Sequence, residues 1–191
     1  MLMAGKCVAI FGKADVSSAD LTYKEAFECS KHLSENGYSI VTGGYEGVME
    51  AASKAAFKSG GKAIGIPCSL FKKRNPNPYL SEVIFAENLY ERQRLLVEKA
   101  DAFVAFEPKT GTLSEVSLIF ALRKNGDKAS SPLCLVGEKW LKIMDFFEKE
   151  RIIPKNLLKY TFLCENGFSA SQTIIKFFSE EEDFSDKKRE R

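Results

Sequence analysis

Two glycine-bearing segments have the composition of anion-binding turns. The first, TGGYEGVM at residues 42–49, stands where an apolar run gives way to a helical pattern. Glycines lack the Cβ atom that would keep a phosphate away from the backbone, and the free amides of a helix start can donate to it. The residues expected to contact a phosphate or nucleotide are Gly43, Gly44, Gly47 and Met49. The G-G-x-x-G spacing is neither the dinucleotide fingerprint nor a P-loop, so a tight turn that serves packing alone is the alternative.

The second segment, EPKTGTLSE at residues 107–115, also joins an apolar run to a helical pattern. At a helix start, Thr110, Gly111 and Thr112 would offer backbone amides and a hydroxyl to an anion. Glu115 lies about one turn further along, so the same segment offers an anion site and a carboxylate. The alternative is a capping box, in which Thr112 caps the helix and Glu115 is its partner.

A third candidate is the charged run YERQR at residues 90–94, which begins a helical pattern. Arg92 is positioned to make a bidentate contact with a phosphate or with Glu115, and a solvated helix face is the alternative. The only histidine, His32, is expected at a surface or helix end rather than in catalysis. Base chemistry is therefore expected to fall to a carboxylate.

Alternating apolar runs and amphipathic stretches predict the elements that must position these side chains. Strands are predicted at residues 6–12, 39–42, 62–67, 82–85, 101–106, 133–137 and 161–164, with helices between most of them. Continuous apolar strands are buried on both faces, so the pattern predicts an α/β fold, a Rossmann-like three-layer sandwich with a mostly parallel sheet. The proline-containing and basic stretch at residues 69–81 is predicted to be a surface loop.

Length and composition restrict the classes of function. A chain of 191 residues fits one nucleotide-binding domain, predicted at residues 1–184, followed by a charged tail at 185–191 that is expected to be disordered. The 28 Lys and Arg residues nearly balance the 26 Asp and Glu residues, so neither nucleic acid nor a membrane is an expected partner. Five dispersed cysteines without a C-x-x-C pair indicate reduced thiols and no zinc site. The expected compartment is the cytoplasm.

Taken together, the three segments resemble the Lonely Guy family, which comprises cytokinin-activating nucleoside 5′-monophosphate phosphoribohydrolases formerly labelled lysine decarboxylases. The resemblance runs from about residue 6 to residue 178, and rests on GGYEGVMEAA, ERQRLLVEKADAFVAF and GTLSE in that order. Arg92 matches the arginine of the family's E-R-K-type helix, and Gly111, Thr112 and Glu115 match its P-G-G-x-G-T-x-x-E motif. Gln93 replaces the motif lysine, and EPK at residues 107–109 stands where P-G-G is expected.

The resemblance implies a homodimer that hydrolyses the N-glycosidic bond of an AMP-like or cytokinin nucleoside monophosphate to the free base and ribose 5-phosphate. It implies no metal or redox cofactor. Glu115 would stabilise the ribosyl cation or activate water, and Arg92 would orient the glutamate or the substrate. Two alternatives remain open: a non-catalytic nucleotide or cofactor binding protein related to molybdenum-cofactor carriers, and a scaffold whose dimer surface matters more than its cleft.

Overall fold

A computed structural model describes residues 5–71 and 75–189, with side chains up to residue 181. Within these residues seven parallel strands form one sheet in the order β4-β3-β2-β1-β5-β6-β7. The strands are β1 Cys7–Phe11, β2 Ser39–Thr42, β3 Ala63–Gly65, β4 Glu82–Val83, β5 Ala102–Ala105, β6 Leu133–Val136 and β7 Thr161–Cys164. The helices are α1 Leu21–Glu35, α2 Val48–Lys58, α3 Leu89–Glu98, α4 Thr110–Lys124, α5 Glu138–Lys149 and α6 Gly167–Arg189, with a 3₁₀ turn at Lys155–Leu158.

Helices cover both faces of the sheet. Val8 and Ile10 of β1 pack into one buried cluster with residues of α1, α2 and α6. Ala9 and Phe11 point to the other side and pack with residues of α3, α4 and α5. Because alternate residues of the same strand are buried in both clusters, the strand reads as an unbroken apolar run. The predicted α/β three-layer sandwich is confirmed.

The order of the strands creates a crevice at the middle of the sheet. From β1 the chain builds outward through β2, β3 and β4, and then returns through α3 to place β5 on the opposite side of β1. Phe11 and Ala105 are paired at the ends of these two adjacent strands. In open α/β sheets, ligands bind outside the carboxyl ends of the strands where the winding direction reverses. The segments that follow β1, β2 and β5 meet at this position.

The structure modifies the prediction for residues 82–85, describes only part of the predicted loop, and leaves the division into a domain and a tail as a prediction. The strand expected at residues 82–85 is a two-residue edge strand, β4. The described parts of the predicted surface loop, residues 69–71 and 75–81, contain no helix or strand, and its basic residues Lys72, Lys73 and Arg74 lie outside the described residues. Helix α6 continues to Arg189, past the expected domain limit at residue 184, and the division into a domain and a tail stays a prediction.

In the part of the chain that the structure describes, no helix is long and apolar enough to cross a membrane. No group of three or more His, Cys, Asp or Glu side chains there is arranged to hold a metal ion. All five cysteines lie in the described residues and are free thiols.

Candidate functional site

A cavity of about 370 Å³ opens at the carboxyl ends of the central strands. Its walls come from the end of β1 and from the segments that follow β1, β2, β3 and β5, together with one side chain from α3. Six residues that the sequence marked as candidates line it: Gly43, Met49, Arg92, Gly111, Thr112 and Glu115. The other three candidates, Gly44, Gly47 and Thr110, are not among the lining residues. The cavity therefore joins the three separate sequence segments.

Helix α3 carries Arg92 into the cavity, and its start is well capped. The Asn88 side chain accepts a hydrogen bond from the backbone amide of Glu91 (2.9 Å), which satisfies one of the unpaired amides of the first turn. One turn later the Nε of Arg92 donates to the carbonyl of Ile66 over 2.9 Å, and an Nη of Arg92 lies 3.8 Å from the Met49 sulfur. The solvated-face interpretation of this residue is wrong, because the guanidinium is anchored by Ile66 and lines the cavity.

Gly43 is required by the position of the arginine. A Cβ atom at Gly43 would overlap the Nη2 atom of Arg92 and would lie 2.7 Å from the Met49 sulfur. The absence of a side chain therefore lets the guanidinium rest directly on the backbone that leaves β2. Gly43 therefore makes room for the Arg92 guanidinium, a contact that the sequence motif alone did not predict.

Gly44 and Gly47 shape the turn after β2. Both have positive φ angles, +82° and +67°, which side-chain-bearing residues rarely adopt. The amide of Gly44 donates to the Thr42 hydroxyl (3.1 Å), and a Cβ at Gly47 would lie 2.5 Å from the carbonyl oxygen of Ala14. These observations explain both glycines through turn geometry and close packing against the segment that follows β1.

Helix α4 begins at Thr110, with Lys109 in the capping position. No side chain makes a capping hydrogen bond there, and Thr112 lies inside the first turn. The capping-box interpretation of Thr112 and Glu115 is therefore wrong. A Cβ at Gly111 would have no atom within 4 Å, so the first turn of α4 is open beside the cavity.

The Glu115 carboxyl group lines the cavity one turn into α4. Burial raises its pKa to about 7, and the positive charge of Arg92 acts in the opposite direction. No hydrogen bond or ion pair of this carboxyl group occurs among the described side chains, apart from that longer-range attraction. A carboxyl group whose pKa lies near neutrality can exchange a proton at physiological pH, which suits acid–base chemistry.

Glu107, which stands in place of the first residue of P-G-G, does not line the cavity. Its carboxylate accepts from Lys13 Nζ over 2.6 Å and also pairs with Lys139. The hydrogen bonds from Lys13 and then Lys139 lower the pKa of Glu107 to about 2, so the group is ionised at neutral pH. The negative charge that could have repelled an anion is thus compensated by two ammonium groups.

Gln93, which replaces the motif lysine, connects the two site helices. Its Nε2 atom donates to the Ser114 hydroxyl on α4 over 2.7 Å. This contact joins the turn of α3 that carries Arg92 to the turn of α4 that carries Glu115. His32 lies on α1, where its Nδ1 is 2.8 Å from the Ser171 hydroxyl of α6, and it is not among the residues that line the cavity.

Sequence reasoning missed several cavity residues. The most informative are Lys13, Tyr45 and Phe71. A signal for Lys13 existed, because it follows β1 directly and carboxyl ends of central parallel strands are ligand sites. Tyr45 is fixed by hydrogen bonds from the amide of Cys68 to its hydroxyl (2.8 Å) and from its hydroxyl to the Cys68 carbonyl (3.1 Å), and no local pattern predicts this partner.

Comparison with known proteins gives a family and a fold. The family model described as the SLOG cluster4 family matches residues 6–129. A cytokinin riboside 5′-monophosphate phosphoribohydrolase of Mycobacterium tuberculosis is 29% identical over 57% of this chain and 59% of its own length. The Oryza sativa enzyme named LOG is 36% identical over 48% of this chain and 38% of its own length. The chain thus matches about half the length of these relatives, and they confirm the expected resemblance.

Solved structures confirm the fold over nearly the whole chain. The molybdenum cofactor binding protein of Rippkaea orientalis has a TM-score of 0.71 and 22% identity, covering 93% of this chain and 98% of its own. The molybdenum cofactor carrier protein of Chlamydomonas reinhardtii has the same TM-score and 21% identity, covering 91% and 98%. Identities this low establish similarity of fold alone.

Proposed function

This chain belongs to the SLOG cluster4 family, and on that premise we propose that it hydrolyses the N-glycosidic bond of a nucleoside 5′-monophosphate. The products are the free base and ribose 5-phosphate. One observation carries the proposal: a carboxyl group with a pKa near 7, Glu115, shares a cavity with an anchored arginine and the open first turn of a helix. The curated relatives named above carry the same activity in their names.

The phosphate is proposed to bind at the first turn of α4. The amides of Thr110, Gly111 and Thr112 precede the first intrahelical hydrogen bond, which the Leu113 amide makes to the Lys109 carbonyl (2.8 Å). They are the free donors of the helix start, and the helix dipole adds positive potential there. Because Gly111 has no side chain, a phosphoryl oxygen can approach the backbone closely. Binding energy from this remote group would position the reacting bond.

The base is proposed to lie against an apolar wall made by Tyr45, Met49 and Phe71. The rings of Tyr45 and Phe71 meet edge to face, with centroids 5.8 Å apart, and the hydrogen bonds of the tyrosine hydroxyl hold its ring in place. A planar base gains stacking and apolar contact on such a surface.

The chemical step is proposed to use Glu115 in its ionised form. Breaking the bond between C1′ and the base nitrogen develops positive charge on the ribose, and an adjacent carboxylate stabilises that charge. Water then adds to C1′, while the bonding electron pair and a proton go to the departing base. Arg92, held by Ile66 and resting on Gly43, is proposed to orient the substrate oxygens beside the carboxylate.

Incubation with AMP and with an N6-substituted analogue tests this function. We expect base release by the wild-type protein, and Glu115→Gln should lower the rate by at least about 100-fold because it removes the ionisable oxygen. Nucleotide binding should be retained, since the glutamine has nearly the same shape. Exposed Glu87 provides the matched control: Glu87→Gln should leave the rate unchanged. Equal turnover by the Glu115→Gln variant would contradict the mechanism.

A non-catalytic nucleotide or cofactor binding protein is the second candidate. It is favoured by the replacement of the motif lysine by Gln93, which bonds Ser114, and by the loss of P-G-G at residues 107–109. In that case nucleotide raises the Tm of the wild-type protein, but no base appears at high protein concentration and long incubation.

The protein is further proposed to act as a cytoplasmic homodimer, without metal or redox cofactor. The outer surface of α3 and α4 supports self-association: Tyr90 is 86% exposed, and a groove of about 210 Å³ between the helices is lined partly by Val97, Leu118 and Leu122. Charged residues border the same groove, among them Arg94, Glu98 and Lys128, and an apolar strip with a polar rim is typical of subunit contacts.

A further inference from the structure

Three charged side chains form a cluster at the ends of β1 and β5. Glu107 lies between the ammonium groups of Lys13, at 2.6 Å, and Lys139. We call these three residues the strand-exit triad. Its two lysines differ in location and in exposure. Lys13 lines the cavity and has a side chain that is 18% exposed. Lys139 lines a separate cleft and has a side chain that is 64% exposed.

The backbone of Lys13 is held against α2 by close packing. Its carbonyl accepts a hydrogen bond from the Val48 amide over 3.0 Å. A Cβ at Gly12 would lie 2.6 Å from a methyl group of Val48, and a Cβ at Gly47 would lie 2.6 Å from the Lys13 carbonyl oxygen. Both glycines are therefore needed for this approach, which fixes where the Lys13 side chain begins.

The side chain of Lys13 is held at its other end by Glu107. Its side chain is only 18% exposed, and Glu107 is its one ion-pair partner among the described residues. An ammonium group has three donors, and this contact engages one of them. The ammonium group of Lys13 therefore has two N–H donors left for a ligand, and Lys13 forms part of the cavity wall.

Lys13 also lies on the side of the cavity where the phosphate is proposed to bind. β1 and β5 are adjacent, and Phe11 pairs with Ala105, so the residues that follow them face each other across the crevice. The first turn of α4 begins a few residues after β5, at Thr110. An anion on its free amides would therefore sit beside the residue that leaves β1.

We infer that Lys13 binds the phosphoryl group of the ligand and that Glu107 is the positioning residue that aims it. The inference rests on the proposed function for the identity of the ligand. Its consequence is selectivity: Lys13 favours a nucleoside monophosphate or ribose 5-phosphate over the unphosphorylated nucleoside. In the P-G-G motif, glycines let a phosphate approach the backbone. In this chain EPK stands at that position, and Glu107 instead holds the cationic side chain of Lys13 where it can bind the phosphate.

Calorimetric titration with AMP, ribose 5-phosphate and adenosine tests the role of Lys13. Lys13→Met should weaken the binding of AMP and ribose 5-phosphate by roughly 10- to 100-fold, the loss typical of a hydrogen bond to a charged group. The affinity for adenosine should stay within about 2-fold, because adenosine carries no phosphate. Lys139→Met removes the other lysine of the triad, which lies outside the cavity, and should weaken the binding of AMP and ribose 5-phosphate much less than Lys13→Met does. Lys13→Arg, which keeps the charge, should restore most of the AMP affinity.

Glu107→Gln tests the positioning role. If Lys13 stayed in place, loss of the negative charge would strengthen anion binding, so weaker AMP binding indicates that aiming the lysine dominates. We expect a loss of roughly 3- to 10-fold for AMP and none for adenosine. In a Lys13→Met background the Glu107 substitution should cause no further loss of AMP affinity.

Equal AMP affinity in Lys13→Met and Lys139→Met would overturn the inference. So would an equal loss for AMP and adenosine, or absence of AMP binding by the wild-type protein. If Lys13→Met weakens AMP binding as expected but the wild-type protein releases no base, the proposed hydrolysis is wrong and the assignment of Lys13 to phosphate binding stands. If base is released with the same kcat/KM by wild type and Lys13→Met, hydrolysis stands and the assignment fails.

Discussion

At the scale of single residues, Glu115 shows how burial of a carboxyl group makes the stability of the protein depend on pH. Its carboxyl group has a raised pKa in the folded protein because burial disfavours the charged form. In the unfolded chain the group has the ordinary glutamate pKa, near 4.3. Its contribution to stability is therefore fully present below that pKa and is lost as the pH rises through about 7, where the folded protein must hold the charge.

Glu115→Gln should therefore stabilise the protein at alkaline pH. Compared with wild type, its free energy of unfolding should rise by about 2 kcal/mol between pH 5 and pH 8, and by less where water in the cavity solvates the carboxylate. Urea denaturation of both proteins at the two pH values measures this difference. Exposed Glu87 again provides the comparison, and a Glu87→Gln variant with the same pH-dependent gain would refute the explanation.

Which residues line the cavity could be predicted only in part. Arg92 and Glu115 were found because their types and spacing match a motif. Lys13 was not singled out, because its partner Glu107 lies 94 positions away in the sequence. Arg123 shows the same limit: its guanidinium is buried and donates to the carbonyls of Leu157, Ser131 and Tyr160, contacts that only the fold creates.

At the scale of elements, α4 connects the proposed phosphate site to the proposed reacting group, Glu115. Its first turn supplies the free amides, and its second turn supplies the carboxyl group of Glu115. Because both belong to one rigid helix, their separation is set by the helical rise of about 1.5 Å per residue. Gln93 of α3 bonds Ser114 and keeps the arginine-bearing helix beside it.

Gly111→Ala separates ligand binding from folding. The new methyl group would meet no protein atom within 4 Å, and alanine favours a helix by about 1 kcal/mol over glycine, so the Tm should stay the same or rise. The same methyl group would stand beside the cavity and should weaken AMP binding by about 10-fold or more. Thermal unfolding and calorimetric titration of the variant measure the two effects. An unchanged AMP affinity would mean that the phosphate binds elsewhere.

The strands and helices themselves were predicted more reliably than their ends. β1 and β5 were recognisable because both faces are buried and the runs are apolar throughout. The capping-box interpretation placed the start of α4 three residues too late, because the residue in the capping position, Lys109, makes no side-chain capping bond that a sequence motif could reveal. The strand predicted at residues 82–85 is only two residues long, and a strand this short has no periodic pattern that could mark its end.

At the scale of the whole molecule, the sequence predicted a mostly parallel sheet but did not predict the order of its strands. Which strand lies beside β1 depends on how α3 crosses the sheet, and local patterns carry no record of that path. The resulting adjacency of β1 and β5 is what forms the cavity. The fold class could therefore be predicted, whereas the residues that line the cavity could be predicted only in part.

The proposed dimer can be disrupted at the groove between α3 and α4. Leu118→Glu would place a charge in a contact that excludes water, and should convert a species of twice the 21.3 kDa chain mass into monomers. Sedimentation velocity distinguishes the two masses. Leu141→Glu, at a 51% exposed position on α5, is the control and should leave the mass unchanged. A wild-type protein that sediments as a monomer would remove the proposal.

The contact between Arg92 and Gly43 restricts how this protein can evolve. Any side chain at position 43 would take the space that the guanidinium occupies. A larger residue at position 43 would therefore displace the Arg92 side chain from this place, through another rotamer or a shorter residue at position 92. Among relatives that keep this arginine contact, we expect glycine to be kept at position 43, although the two positions are 49 residues apart in the chain.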